Sequence, residues 1–111
     1  MAAGWSPRPG HQCAVLAARI VCFGGFGLPF NPMDVSSSTD GRVWATDRGT
    51  AWDVTSPDAV KYDVAAVSVP ASRGGHPAIL TFGGDRATFD PFDPVNWLRV
   101  DSDVWRVEAR R

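Results

Sequence analysis

The segment Ile20-Val21-Cys22-Phe23-Gly24-Gly25 returns 59 residues later as Ile79-Leu80-Thr81-Phe82-Gly83-Gly84. Each copy is an apolar run halted by a glycine pair, and each is followed by Asp-Val, at Asp34-Val35 and Asp103-Val104. The second copy takes 10 more residues to reach its Asp-Val, so the extra length belongs to a loop and not to the repeated framework. A chain built this way is two copies of one unit, and such units bury their apolar faces by stacking on each other.

The units read as strands. No window keeps apolar residues at i, i+3, i+4 and i+7 for three turns, and Gly and Pro recur throughout. The short apolar runs 13–16 and 20–23 flank Ala17, Ala18 and Arg19, which predicts a tight hairpin whose apolar strands are covered on both faces. A second hairpin is predicted from 33–38 to 43–45, because Asp40-Gly41 within the turn 39–42 supplies residues that tolerate positive φ. Strand character returns at 62–69, 78–82 and 103–108. A polar, turn-rich stretch at 47–57, anchored by Trp52, separates the halves.

Composition narrows the partners. Hydrophobic residues make up 44% of the 111 and charged residues 21%, the balance of a folded globular chain. A net charge of -1 removes general attraction to phosphate backbones and anionic membranes, so nucleic acid is not expected as a partner. No apolar run approaches the roughly 20 residues of a membrane-spanning helix, and Trp5, Pro7 and Pro9 interrupt the place where a secretory leader would need continuous apolar sequence. The compartment is not legible.

With the glycine pairs, Trp44 and the strand order in view, the chain resembles kelch repeats, which place a double glycine after the second strand of each four-stranded blade and a tryptophan near the fourth. Gly24, Gly25 and Trp44 match in the first unit, and Gly83 and Gly84 in the second. The tyrosine usual before that tryptophan is replaced, with Ser37 in the corresponding place and Trp105 and Arg106 in the neighbourhood in the second unit. Residues 38–44 are also similar to a shortened Asp-box, the hairpin motif of sialidase-type propellers, with Asp40 and Gly41 at its turn. The resemblance implies an all-β chain of two four-stranded antiparallel meander blades, the second incomplete, of a kelch-type β-propeller. Its parts would be a connector at 1–10, a first blade at 11–46, an inter-blade connector at 47–61 and a second blade at 62–108, with the missing fourth strand beyond Arg111. The alternative is an ordinary sandwich with glycine-rich turns. Propellers use about four to eight blades, so further blades or self-association are expected, together with an upstream part.

In an antiparallel meander the first-to-second and third-to-fourth turns share one end, and the second-to-third loops and connectors share the other. The long loops 26–32, 47–61 and 85–101 therefore gather at one end, which makes that end the expected recognition surface for a protein or a glycan. Its candidate contacts are Asp85, Arg86, Phe89, Asp90, Phe92, Asp93, Asn96, Trp97 and Arg99, which mix aromatic faces with charges. The competing reading has these aromatics folded back over the neighbouring blade.

Catalytic and metal chemistry find little in this pattern. A turn centred on Ala17-Ala18 places Cys13 opposite Cys22 at about 4.5 or 5.5 Å between Cα atoms, which permits a disulfide; buried free cysteines are the commoner outcome. With His11 and His76 these cysteines form no metal-ligand spacing, and no cofactor is expected. The aspartates at 85, 90, 93, 101 and 103 fit no calcium-loop template and are split by Pro91 and Pro94. The expected function is a non-catalytic binding or scaffold module. The second reading is a fragment of a propeller hydrolase, oxidase or isomerase whose catalytic residues lie mostly outside the chain.

Overall fold

In a computed structural model the chain is all-β, with two antiparallel sheets and no helix among the described residues, which are 5–27, 32, 34–47, 61–71, 75–85, 87, 92, 100 and 102–108. The first sheet is a meander of β1 (His11–Leu16), β2 (Arg19–Gly24), β3 (Val35–Ser38) and β4 (Ala45–Asp47). The second is a meander of β5 (Ala65–Val69), β6 (Ala78–Phe82) and β7 (Val104–Glu108). Phe23 and Phe82 thus lie on inner strands of separate sheets. The second sheet has three strands.

The turn between β1 and β2 is the tightest among the described residues. Ala17 and Ala18 both take positive φ, 50° and 62°, which is the conformation of a two-residue type I′ turn. Alanine adopts it at a cost of roughly 1–2 kcal/mol per residue that asparagine and glycine largely avoid. The double substitution Ala17→Asn, Ala18→Gly is therefore expected to raise stability by about 1–2 kcal/mol, read as a higher midpoint in urea unfolding at unchanged slope.

Several elements depart from the sequence expectations. Strand β1 is not covered on both faces: its residues alternate, and Val15 is 54% exposed. The second hairpin turn runs over 39–44 and not 39–42, because Asp40 Oδ1 accepts from the backbone N–H groups of Arg42 (2.8 Å) and Val43 (3.0 Å) and holds both outside the strand. Strand β4 accordingly extends to Asp47, inside the range assigned to the connector. Ser38 Oγ accepts from Gly41 N at 2.8 Å, and Trp44 Nε1 donates to Gly41 O at 3.1 Å, closing the turn. Tyr62 forms only an isolated bridge, since Asp63 at φ 55° breaks the extended chain before β5 begins. Trp52 and the connector around it lie outside the described residues.

The core lies between the two sheets. Leu16, Val21 and Phe23 from the first sheet meet Val64 and Ile79 of the second half, with Ala14, Val35, Ala66, Trp105 and Val107 packed around them. Strand β1 lies against β5 and β6. Asp63 N donates to Gly10 O at 2.8 Å, and Ser68 Oγ both accepts from Val15 N (3.0 Å) and donates to Val15 O (2.7 Å). Gly10 and Asp63, like Val15 and Ser68, are 53 residues apart, so equivalent positions of the two units meet across the interface.

The repeat extends to backbone detail. Gly10 (φ 75°) corresponds to Asp63 (55°), Gly24 (74°) to Gly83 (63°), and Gly25 (110°) to Gly84 (101°). A Cβ on Gly24 would lie 2.6 Å from the carbonyl oxygen of Lys61, and one on Gly84 would collide with the Val64 side chain. Both collisions involve the start of the second half, so the glycine pairs are where the connector crosses the sheet end.

Candidate functional site

Each unit closes its loop end with the same device. The basic residue two positions before the first positive-φ site reaches the aspartate that precedes the third strand: Arg8 pairs with Asp34, and Lys61 with Asp103. Lys61 is fully buried, and its Nζ also donates to Gly83 O at 3.1 Å. Asp103 Oδ2 accepts from Trp105 Nε1 at 2.7 Å. Burial pushes the Asp103 carboxyl up, but the hydrogen bonds from Lys61 and Trp105 and the charge of Lys61 outweigh it and leave the group below the ordinary aspartate value. Asp40, at the opposite end, is also lowered, by the backbone N–H groups of Val43 and Arg42.

Between these pairs the loop end opens into a cleft of about 170 Å³ lined by Pro9, Phe26, Tyr62 and Asp63. Phe26 and Tyr62 meet edge to face at 5.3 Å. Phe26 N donates to Pro9 O (2.9 Å), and Asp85 N to Tyr62 O (2.8 Å), again the same bond in both units. Tyr62 additionally donates its N–H to Asp85 O at 3.0 Å, a bond for which Pro9 has no donor. The Tyr62 hydroxyl donates to Ala87 O at 2.9 Å. Burial, followed by the negative charges of Asp85 and Asp63, raises the Tyr62 phenol above its ordinary value, so it stays protonated and serves as a wall and a donor. The exposed Asp63 side chain is the acceptor at the rim.

The predicted contact residues are placed unevenly. Asp85 bridges Tyr62 on one side and Val100 on the other, so its backbone is part of the cleft's support. Phe92, on the same β6–β7 loop, is 92% exposed. Arg86, Phe89, Asp90, Asp93, Asn96, Trp97 and Arg99 lie outside the described residues. Pro9, Phe26, Tyr62 and Asp63 were not singled out by sequence reasoning. The signal that would have found them is the 53-residue offset between Arg8-Pro9-Gly10 and Lys61-Tyr62-Asp63, which differs from the 59-residue offset of the more visible glycine pairs.

On the far side of the first sheet, Cys13 and Cys22 face each other in register and are joined by a disulfide, in place of the commoner free thiols. The equivalent pair in the second sheet is Ala66 opposite Thr81, whose Oγ1 is buried without a partner. Trp5 lies against Trp44 with ring centroids 4.6 Å apart and flanks Cys22 and Ser36 in a void of about 10 Å³. Among the described residues no three His, Cys, Asp or Glu side chains converge as metal ligands, and no helix is long and apolar enough to cross a membrane. No family model, curated protein or solved structure matches the chain.

Proposed function

We propose that the chain is a two-sheet piece of a kelch-type β-propeller that acts as a non-catalytic binding or scaffold module, recognising a protein or glycan at its long-loop end. The observation that carries this reading is the cleft of Pro9, Phe26, Tyr62 and Asp63, which sets two aromatic walls beside one carboxylate at the end where the connectors gather. Its volume is well below the roughly 300–1,000 Å³ of a drug-sized site, so it suits one protein side chain or one sugar unit, with the rest of the partner spread over the loops. The exposed ring of Phe92 supplies an aromatic surface of the kind that anchors such contacts. Repeated turns, repeated base–aspartate pairs and face-to-face meanders support the propeller architecture.

The experiment is a screen of defined oligosaccharides and a displayed peptide library against the isotopically labelled chain, followed by amide chemical shifts. Ligands of the cleft are expected to move Phe26, Tyr62 and Asp63, and Asp63→Asn should weaken them by about 10- to 100-fold, the worth of one hydrogen bond to a charged acceptor. Phe92→Ala should cost about tenfold. Binders whose shifts avoid this end and which ignore both substitutions would refute the reading.

A further inference from the structure

The two units bury opposite faces of their sheets, and among the described residues this leaves one face of each sheet without an opposing sheet. In the first sheet Ala14, Val21, Phe23 and Val35 point at the second sheet. Their equivalents in the second sheet are Val67, Leu80, Phe82 and Val104, and strand register places these on the side facing away from the first sheet. Phe23 is 2% exposed; Phe82, the same position one unit on, is 42% exposed, and Val67 is 47% exposed. Ala66, Ile79 and Trp105 lie on the second-sheet face that packs in the same core as Phe23. The equivalent of that face in the first sheet is the face of Cys13, Ile20 and Ser36.

That second face is partly open. Over β3 it is roofed by Trp5, beside Cys22 and Ser36, and by the 39–44 turn. Over β1 and β2 it presents Cys13, the exposed Val15 and the half-buried Ile20. The existing interface sets β1 of one sheet on β5 and β6 of the next, so its continuation needs β5 to meet β1 and β2 of a following sheet. Of the face that continuation requires, the β1 side is open at Cys13 and Val15, whereas the Ser36 side carries Trp5, so the following sheet would sit on the β1 side.

We propose that a second copy of this chain docks head to tail, the outward face of the second sheet (Ala65, Val67, Leu80, Phe82, Val104) against the Cys13–Val15–Ile20 face of the next copy. The contact is heterologous, and the same rotation that relates the two sheets within the chain relates one copy to the next. Rings of about four to eight such sheets would close with two, three or four copies of the described pair. This goes beyond the ligand-binding reading and is independent of the cleft, but it rests on the propeller architecture proposed above.

Sedimentation of the disulfide-intact chain tests the proposal. The expected species is a closed assembly of two, three or four chains. Val67→Glu and Val15→Lys should each weaken assembly at least about tenfold and yield monomers, because each spoils one half of a heterologous contact. Mixed in equal amounts they should form a heterodimer, since the Val15→Lys chain keeps an intact second-sheet face and the Val67→Glu chain an intact first-sheet face. Circular dichroism checks that each variant keeps its sheets, with Val67→Asn and Val15→Asn replacing any that does not. A wild-type chain that stays monomeric at all concentrations overturns the proposal. So does assembly that ignores Val15→Lys, which would mean the second-sheet face pairs with itself, and so does a mixture that remains monomeric.

Discussion

Asp103→Ala is expected to destabilise the fold by about 3 kcal/mol, because it takes the Asp103 carboxylate away from the fully buried Lys61 ammonium. Removing one partner of a buried ion pair typically costs roughly 3–5 kcal/mol, and the lower end applies because the Asp103 side chain is 40% exposed and water can reach the space it vacates. Asp103→Asn keeps one acceptor oxygen, for Lys61 or for Trp105 but not for both, and should cost less than alanine. The pH dependence has a definite sign. The folded state holds the Asp103 carboxyl below its ordinary value of 3.8, so its contribution is complete above that value and disappears as the pH falls through the lower, folded value. Wild-type stability should drop with acid in that window, and the Asp103→Ala variant should drop less. Asp40 titrates in the same direction in both proteins, so the difference between their urea midpoints isolates Asp103.

Reduction of Cys13–Cys22, or their joint replacement by alanine, should cost roughly 2–3 kcal/mol by the loop-closure estimate for a cross-link spanning 9 residues. That is a large fraction of the roughly 5–15 kcal/mol that holds a small domain together. The location adds to the effect. The bond staples β1 to β2, and β1 is the strand on which the second sheet rests, so fraying of β1 would loosen the interface as well as the hairpin. Thermal unfolding with and without reductant should differ by roughly 8–20 °C. Equal midpoints in the two conditions would show that the hairpin turn and the Ser68 contact hold β1 unaided.

What could be read in advance was local or repeated. The Ala17-Ala18 hairpin, the glycine pairs and the strands at 78–82 and 104–108 follow from short-range pattern, and the recurrence of Phe-Gly-Gly is consistent with each copy lying in a sheet of its own. The paired charges were not legible: Lys61 and Asp103 are 42 residues apart, and Arg8 and Asp34 are 26 apart, with nothing in composition to couple them. Asp63 hid a positive φ that glycine would have advertised at the same place in the first unit. The disulfide stayed undecided because register permits a bond without compelling one. The cleft was missed for a related reason. Its walls come from residues just before the first strands and just after β2, and loop insertions give the first strands a different offset from the second strands, so an alignment anchored on the glycine pairs passes over Pro9, Tyr62 and Asp63.

The Ser68 hydroxyl has one further effect. Strand β1 borders the first sheet, and the amide and carbonyl of Val15 would ordinarily stand ready to recruit any extended peptide that drifted past. A single oxygen from the neighbouring sheet occupies both at once. The molecule thereby protects an otherwise sticky border against fibril-like growth with a side chain of two heavy atoms.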